Sequence, residues 1–255
     1  MKTKLFFPAC ICICICMVMA SCTSALQAQK ENRIAQAIKR EGDVYYVQGD
    51  YTAALGKLFE AEKIMPDDPD IQYSLGLAYM GKSRYDLAIN AFKKSIASKP
   101  NNTEALNNLG AAYLLEKQWG IAIKTFNKVL EDIAYPTPEH PLTNIGSAYM
   151  ELNNYPLAQQ YFLKALQEKP GHINAIHGLS LLYIRCGQTD RAIDYLDKNI
   201  RRYPGIAILH ADLAQAYETC GRTRQAIRSW QEVMQLAPEN SSLYQKAEQR
   251  LFELR

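Results

Sequence analysis

The chain has 255 residues, with 29 Lys and Arg against 26 Asp and Glu, and a formal net charge of +3. Two of its basic residues, Lys2 and Lys4, lie in a segment that we expect to be removed, which leaves 27 against 26, or +1. A chain so close to neutral offers no basic stripe to displace counterions from phosphates, and this excludes a nucleic-acid partner. Five of the seven cysteines lie within the first 22 residues, so only Cys186 and Cys220 belong to the body of the protein.

The first 21 residues have the three-part layout of a secretory signal: a positive start, an uncharged run from Leu5 to Ala20 and small residues at the end. An apolar helix of about 16 residues would span about 24 Å, which is short of the roughly 30 Å hydrocarbon core of a bilayer. A cleaved signal is therefore favoured over a permanent transmembrane helix.

The end of this segment, Met19-Ala20-Ser21-Cys22, resembles a bacterial lipobox. The resemblance implies a lipoprotein signal peptide over residues 1–21 and acyl chains on Cys22, which would anchor the protein in a membrane. Thr23 stands where an inner-membrane lipoprotein would carry aspartate, so the resemblance implies the outer membrane. Residues 22–34 would then form a lipidated tether, whose polar residues could extend up to roughly 40 Å.

A period of 34 residues, lengthened once to 36, runs through the rest of the chain. Three columns of small residues, alanines and prolines show this period: Gly42, Gly76, Gly110, Gly146, Ser180 and Ala214; Ala54, Ala88, Ala122, Ala158, Ala192 and Ala226; Pro66, Pro100, Pro136, Pro170, Pro204 and Pro238. The period and the residue types are those of the tetratricopeptide repeat, a helical hairpin. We number the positions of each repeat from its first residue, which puts the three columns at positions 8, 20 and 32; only Pro136 falls two positions later, because the insertion precedes it.

The predicted fold is all-α: a right-handed α-solenoid of six tetratricopeptide hairpins followed by a C-terminal capping helix. The predicted repeats cover residues 35–240, as 35–68, 69–102, 103–138, 139–172, 173–206 and 207–240, and the capping helix covers 241–255. Small residues at positions 8 and 20 allow the two helices of a hairpin to cross closely, and proline at position 32 ends the second helix. Tyrosine at position 11 of every repeat is expected to pack in the core.

We find no pattern that indicates chemistry. The four histidines form no His-x-x-x-His or His-x-x-Glu pair, and the chain has neither a glycine-rich phosphate loop nor a Gly-x-Ser-x-Gly elbow. We therefore predict no enzyme activity, no cofactor, no metal and no small-molecule substrate. Cys186 and Cys220 both fall at position 14, and equivalent positions on stacked helices are about 8–10 Å apart, so two thiols are favoured over a disulfide.

The first helices of the repeats are expected to line a groove, with positions 2, 5, 9 and 12 facing into it. Its most apolar stretch lies in repeat two, where Tyr73, Leu77 and Met80 would suit an apolar peptide or helix of a partner protein. In the alternative interpretation, the N-terminal tether or a neighbouring turn fills the groove. The candidate partner-binding residues are Tyr46, Tyr73, Leu77, Met80, Asn107, Asn108, Leu114 and Asn144.

The extra two residues lie in the junction after repeat three, Ile133-Ala134-Tyr135-Pro136-Thr137-Pro138-Glu139. With Asn107-Asn108-Leu109-Gly110 before it and Asn144-Ile145-Gly146 after it, this junction resembles that of the type IV pilus biogenesis/stability lipoproteins, the pilotin (PilF/PilW) family. The resemblance covers Cys22 to about Asn240. It implies an outer-membrane lipoprotein that faces the periplasm, brings the pilus secretin to the outer membrane and supports its multimerisation. The alternative function is a generic periplasmic scaffold that docks cell-envelope enzymes or assembly factors.

Overall fold

The computed structural model describes the backbone of residues 7–254 and the side chains of residues 26–254. Within that range the chain forms thirteen α-helices and no strand. The helices are α1 Phe7–Val47, α2 Tyr51–Ile64, α3 Pro69–Gly81, α4 Tyr85–Ser98, α5 Thr103–Leu115, α6 Trp119–Leu130, α7 Glu139–Glu151, α8 Tyr155–Glu168, α9 Ile173–Arg185, α10 Thr189–Arg202, α11 Ala207–Thr219, α12 Thr223–Leu236 and α13 Ser242–Glu253. The all-α prediction is confirmed.

Helices α3, α5, α7, α9 and α11 begin at residues 69, 103, 139, 173 and 207, which are the first residues of repeats two to six. The chain divides into two compact units, which we describe separately: unit 1 ends at Glu116 and unit 2 begins at Lys117. In unit 1, α1 pairs with α2 and α3 with α4, and in unit 2, α7 pairs with α8 and α11 with α12. Each pair is a hairpin whose apolar stripe is buried against the next.

The two helices of a hairpin cross at a small residue that faces a large one. A Cβ atom added to Gly76 would lie 2.4 Å from a carbon of the Phe92 ring, and one added to Gly146 would lie 2.8 Å from the Phe162 ring. The Phe162 ring also faces Gly178 of the following hairpin, where an added Cβ would again approach to 2.4 Å. All six alanines of the position-20 column are fully buried. The predicted roles of positions 8 and 20 are therefore confirmed.

Each hairpin turn contains one residue with a positive φ at position 15: Gly49, Ser83, Lys117, Asn153, Gly187 and Gly221. In five of the six turns the next backbone N–H donates to the carbonyl of the position-11 tyrosine, as from Arg84 to Tyr79 at 2.9 Å and from Asn154 to Tyr149 at 2.8 Å. This is the Schellman arrangement that satisfies a carbonyl group left over at the end of a helix.

The sequence predicts a tether over residues 22–34 that could be extended. In the structure, residues 23–34 lie inside α1. Residues 26–34 are exposed, so this part of the segment fills no groove. As a helix, the twelve residues from 23 to 34 span about 18 Å instead of roughly 40 Å.

Tyr45, also in α1, departs from the expected core packing because it is 36% exposed, whereas Tyr113 and Tyr183 are 7% and 4% exposed. Tyr79 packs on Phe59 of the preceding hairpin, and no described helix occupies that side of Tyr45.

Helix α13 covers the end of unit 2. Its Ala247 and Leu251 are buried against a cluster that includes Trp230 and Val233. Glu218 of α11 ties the three helices together, because its carboxylate accepts hydrogen bonds from the indole N–H of Trp230 and from the guanidinium of Arg250. An apolar contact and a charge-assisted one thus hold the capping helix in place.

The start of α7 and the turn between α8 and α9 bring four ionisable side chains together in unit 2. Glu139 is 5% exposed and His172 is 6% exposed, and the Glu139 carboxylate accepts a hydrogen bond from Lys169 Nζ at 3.2 Å. The His140 and His172 rings meet edge to face at 4.9 Å, and the buried His172 Nε2 has no hydrogen-bond partner. Burial lowers the pKa of His172, and the nearby charge of His140 lowers it further.

The lowered pKa of His172 predicts that unit 2 loses stability when the pH falls below about 6.5, the ordinary histidine value. Below that pH the unfolded chain binds a proton at this side chain more readily than the folded chain does. Chemical denaturation between pH 8 and pH 5 would show the free energy of unfolding decrease with acidity. The His172→Gln variant should have a smaller slope below pH 6.5, and an identical slope in variant and wild type would contradict the prediction.

The crossing of α3 and α4 predicts that Gly76→Ala destabilises unit 1 by about 1–3 kcal/mol, because the new methyl group would overlap the buried Phe92 ring. Gly56→Ala is the matched control: this glycine lies in α2 with no atom within 4 Å of an added Cβ. The control should be stabilised by roughly 0.5–1 kcal/mol, since alanine favours helix over glycine. Urea unfolding of both variants measures the difference, and equal effects would show that the crossing is not tightly packed.

Candidate protein-binding surfaces

The first helices of successive hairpins contact one another within each unit. In unit 1, α3 contacts both α1 and α5, and in unit 2, α9 contacts both α7 and α11. Positions 2, 5, 9 and 12 of consecutive repeats are therefore brought side by side, because residues three and four apart share one face of a helix. Each unit has one such face, which we call the first-helix face.

Seven of the eight candidate binding residues belong to unit 1, and all seven are half-buried: Tyr46, Tyr73, Leu77, Met80, Asn107, Asn108 and Leu114. Asn144 is also half-buried, but it lies in unit 2. Half-buried side chains are held in place by packing and still offer surface to a partner. Their assignment to binding stays a prediction. The candidate lipidation residue Cys22 lies outside the residues whose side chains the structure describes.

The polar candidates in unit 1 are partly engaged with each other. The Asn108 side-chain amide donates a hydrogen bond to the Tyr73 hydroxyl at 3.0 Å, and the Tyr73 ring lies 5.9 Å from the Phe92 ring. The side-chain oxygen of Asn107 is buried and has no hydrogen-bond partner. A buried acceptor in this state costs free energy in the folded protein.

The ionic group on this face of unit 1 is internally paired. Lys39 Nζ lies 2.8 Å from a carboxylate oxygen of Asp43, one helical turn further along α1. Tyr46 packs against the core cluster that contains Leu58 and Leu75, and its ring lies 5.7 Å from the Tyr51 ring. Asp70 and Glu104, both at position 2, are the exposed acidic residues beside the half-buried aromatic and aliphatic side chains of this face.

The first-helix face of unit 2 holds an ionisable group that the sequence analysis missed. Asp212 of α11 is 2% exposed, and its carboxylate lies 2.7 Å from His177 Nδ1 and 2.9 Å from the Ser180 hydroxyl, both on α9. The signal was available in the sequence. His177 and Asp212 are 35 residues apart, at positions 5 and 6 of consecutive repeats, and Tyr73 and Asn108 have the same relation in unit 1.

Within residues 26–254, no group of three or more His, Cys, Asp and Glu side chains is placed to hold a metal ion. Cys186 is half-buried and Cys220 is exposed, and both are free thiols. No helix in the described part of the chain is long and apolar enough to cross a membrane.

Sequence comparisons find tetratricopeptide proteins of different kinds. TPR repeat-containing protein YpiA of Bacillus subtilis is 22% identical over 202 residues, which are 79% of this chain and 40% of YpiA. Anaphase-promoting complex subunit 3 of Schizosaccharomyces pombe is 27% identical over 108 residues, 42% of this chain and 16% of that protein. The chain thus spans less than half the length of either relative.

Three solved structures share the fold. PilW, a type IV pilus biogenesis factor, has a TM-score of 0.71 at 21% identity, over 84% of this chain and 98% of PilW. PilF of Pseudomonas aeruginosa has a TM-score of 0.65 at 20% identity, over 86% of this chain and 99% of PilF. A tetratricopeptide repeat protein of Parabacteroides merdae has a TM-score of 0.69 at 20% identity, over 86% and 87% of the two chains.

Three family models match the chain along its length. One described as TPR repeat matches residues 42–83, and two described as Tetratricopeptide repeat match residues 73–137 and 149–205. These matches fall on the hairpins described above. The chain is therefore built from tetratricopeptide repeats, as its residue columns predict, and such repeats serve as scaffolds that bind other proteins.

Proposed function

We propose that this protein is an outer-membrane-anchored lipoprotein that acts as a pilotin in type IV pilus biogenesis. In this role its repeats bind the pilus secretin in the periplasm, and its acylated Cys22 carries the secretin to the outer membrane and supports its multimerisation. The observation that carries the proposal is the lengthened junction at residues 133–139, which lies between the end of α6 at Leu130 and the start of the fourth hairpin at Glu139. The likeness to PilW and PilF supports it, because the fold matches nearly the whole of both proteins.

The parts of the chain suit such a role without catalysis. A lipid on Cys22 supplies the sorting step, and the half-buried aromatic and aliphatic side chains of unit 1 supply a surface for a protein segment. Two acyl chains or more give stable membrane attachment, since each buried methylene contributes roughly 0.8 kcal/mol. Whatever the repeats hold would therefore move with the anchor.

A generic periplasmic scaffold, which docks cell-envelope enzymes or assembly factors, is the second candidate. The likeness to the Parabacteroides merdae protein favours it, because the TM-score of 0.69 is close to that of PilW. This scaffold would use the same anchor and the same faces, and it would differ only in its partner.

The proposal predicts that Cys22→Ser abolishes the effect of this protein on the secretin. In cells that express the pilus secretin with this protein, wild type should raise the amount of secretin multimer in the outer membrane. The Cys22→Ser variant should leave it at the level seen without this protein, because an unacylated chain has no outer-membrane anchor. Membrane fractionation and unheated gel electrophoresis measure the multimer.

Cys16→Ser is the matched control, since it changes a cysteine six residues before Cys22 and should leave multimer formation unchanged. A multimer yield that is the same with wild type, with Cys22→Ser and without this protein would overturn the pilotin role. Outer-membrane attachment of wild type in that same experiment would leave the generic scaffold as the function.

A further inference from the structure

The His177 side chain joins α9 to α11 in unit 2 through a buried carboxylate. Its Nδ1 atom lies 2.7 Å from Asp212 Oδ2, and the Ser180 hydroxyl donates to the same oxygen at 2.9 Å. The Asp212 side chain is 3% exposed, whereas the His177 side chain is 33% exposed. One end of the imidazole is thus fixed inside the protein, and the rest of the ring reaches the surface.

The carboxylate decides which nitrogen of His177 carries a proton. An ionised carboxylate only accepts hydrogen bonds, so Nδ1 must be the donor in this pair. In the neutral imidazole the lone pair then lies on Nε2, and no described side chain or backbone group bonds to that atom. When His177 is neutral, the first-helix face of unit 2 thus presents a hydrogen-bond acceptor in a fixed orientation.

The charge of Asp212 is not balanced by a permanent cation. Among the side chains of residues 26–254, its only ionic partner is His177, and no Lys or Arg nitrogen lies within 4 Å of it. With neutral His177, the pair carries a net charge of −1 close to the surface. Burying a charge without a cation costs free energy. A cation that reaches the pair from outside would form the ion pair that the fold itself does not supply.

The equivalent pair in unit 1 shows that the packing of the helices does not require this charge. Tyr73 and Asn108 occupy the same two repeat positions, and their uncharged side chains join α3 to α5 through a hydrogen bond of 3.0 Å. A neutral bridge therefore suffices between first helices. The ionisable bridge in unit 2 adds an acceptor and a negative charge that the neutral one lacks.

Aliphatic side chains share the first-helix face of unit 2 with His177. Leu181 lies one turn further along α9 and Ile208 lies in the first turn of α11, and both are half-buried, while Ile184 is 9% exposed. These aliphatic side chains offer contacts to the residues on either side of a donor that reaches His177 Nε2.

We propose that this face of unit 2 binds a segment of a partner protein in which an arginine, flanked by aliphatic residues, donates to His177 Nε2. A guanidinium donor matches the acceptor, and its charge balances Asp212. The inference rests on the protein-binding role of the repeats and not on the secretin as partner. It specifies the chemistry of the partner segment. It also places the binding site on the first-helix face of unit 2, whereas Tyr73, Leu77 and Met80 lie in unit 1.

Three peptides test the proposal against the full chain in detergent micelles. Each is a nine-residue, acetylated and amidated peptide of leucine and serine, with arginine, citrulline or glutamate at its centre. Citrulline has the shape of arginine without its charge. Fluorescence anisotropy gives the dissociation constants, and the ring-nitrogen NMR signals of the histidines show whether His177 is the site. We expect the arginine peptide to bind about tenfold more tightly than the citrulline peptide, and the glutamate peptide to bind more weakly than either.

The variants separate binding from folding. The double variant His177→Tyr/Asp212→Asn copies the uncharged pair of unit 1, so it should keep the hairpins packed and lose the preference for arginine. His177→Ala should lose it as well, whereas Gln225→Ala, at an exposed position of the second helix α12 and outside the first-helix face, should keep it. Circular dichroism checks that each variant is folded.

Equal binding of the arginine and citrulline peptides, or no binding by any of them, would overturn the proposal. Preference for the glutamate peptide would also overturn it and would identify protonated His177 as an anion site. The assay contains no secretin and does not depend on acylation, so it can fail while the pilotin role stands. Likewise, a multimer yield that is the same with wild type, with Cys22→Ser and without this protein would overturn the pilotin role and leave the peptide result intact.

Discussion

The two helices of a hairpin approach closely because a glycine or another small residue on the first helix leaves room for a larger side chain of the second. Gly76 leaves room for the Phe92 ring, and the Phe162 ring occupies the space left by Gly146 and Gly178. Ring and backbone are in van der Waals contact there, so the distance between the helices cannot change without loss of packing on both sides. The buried alanines of position 20 reinforce the same crossing. Every other contact of the hairpins is built around this distance.

Because the crossing fixes which side of each first helix faces inward, it also fixes which residues lie beside it on the first-helix face. Repetition then places equivalent residues on neighbouring helices, and a pair such as Tyr73 and Asn108 or His177 and Asp212 meets in the same way. The two units use one geometry for two different chemistries. Unit 1 presents aromatic and aliphatic side chains with an uncharged bridge, and unit 2 presents a charged bridge among aliphatic side chains.

The residue columns predict the hairpins because the crossing tolerates only small side chains and five of the six second helices end two residues before their proline. The exception is α6, which ends at Leu130, six residues before Pro136 in the lengthened junction. The turn residue at position 15 could not be predicted in the same way. It has a positive φ in every hairpin, but Ser83, Lys117 and Asn153 take the place of glycine in three of them, so no column of one residue type marks it. The His177–Asp212 pair can be found in the sequence only when position 5 of one repeat is compared with position 6 of the next, because the contact joins two repeats. Tyr45 failed the core prediction because its position packs against a preceding hairpin, and none is described there.

Helix α1 runs without interruption from residue 7 into the first hairpin, and this has a mechanical consequence. A flexible tether would let unit 1 turn freely about its point of attachment. A continuous helix transmits torque, and every residue contributes about 100° of rotation and about 1.5 Å of length. One residue more or less between an attachment point and Ala35 would swing the first-helix face of unit 1 through more than a quarter of a circle, whereas seven residues would return it nearly to its starting direction. The number of residues in this segment therefore also determines the direction in which the first-helix face of unit 1 points.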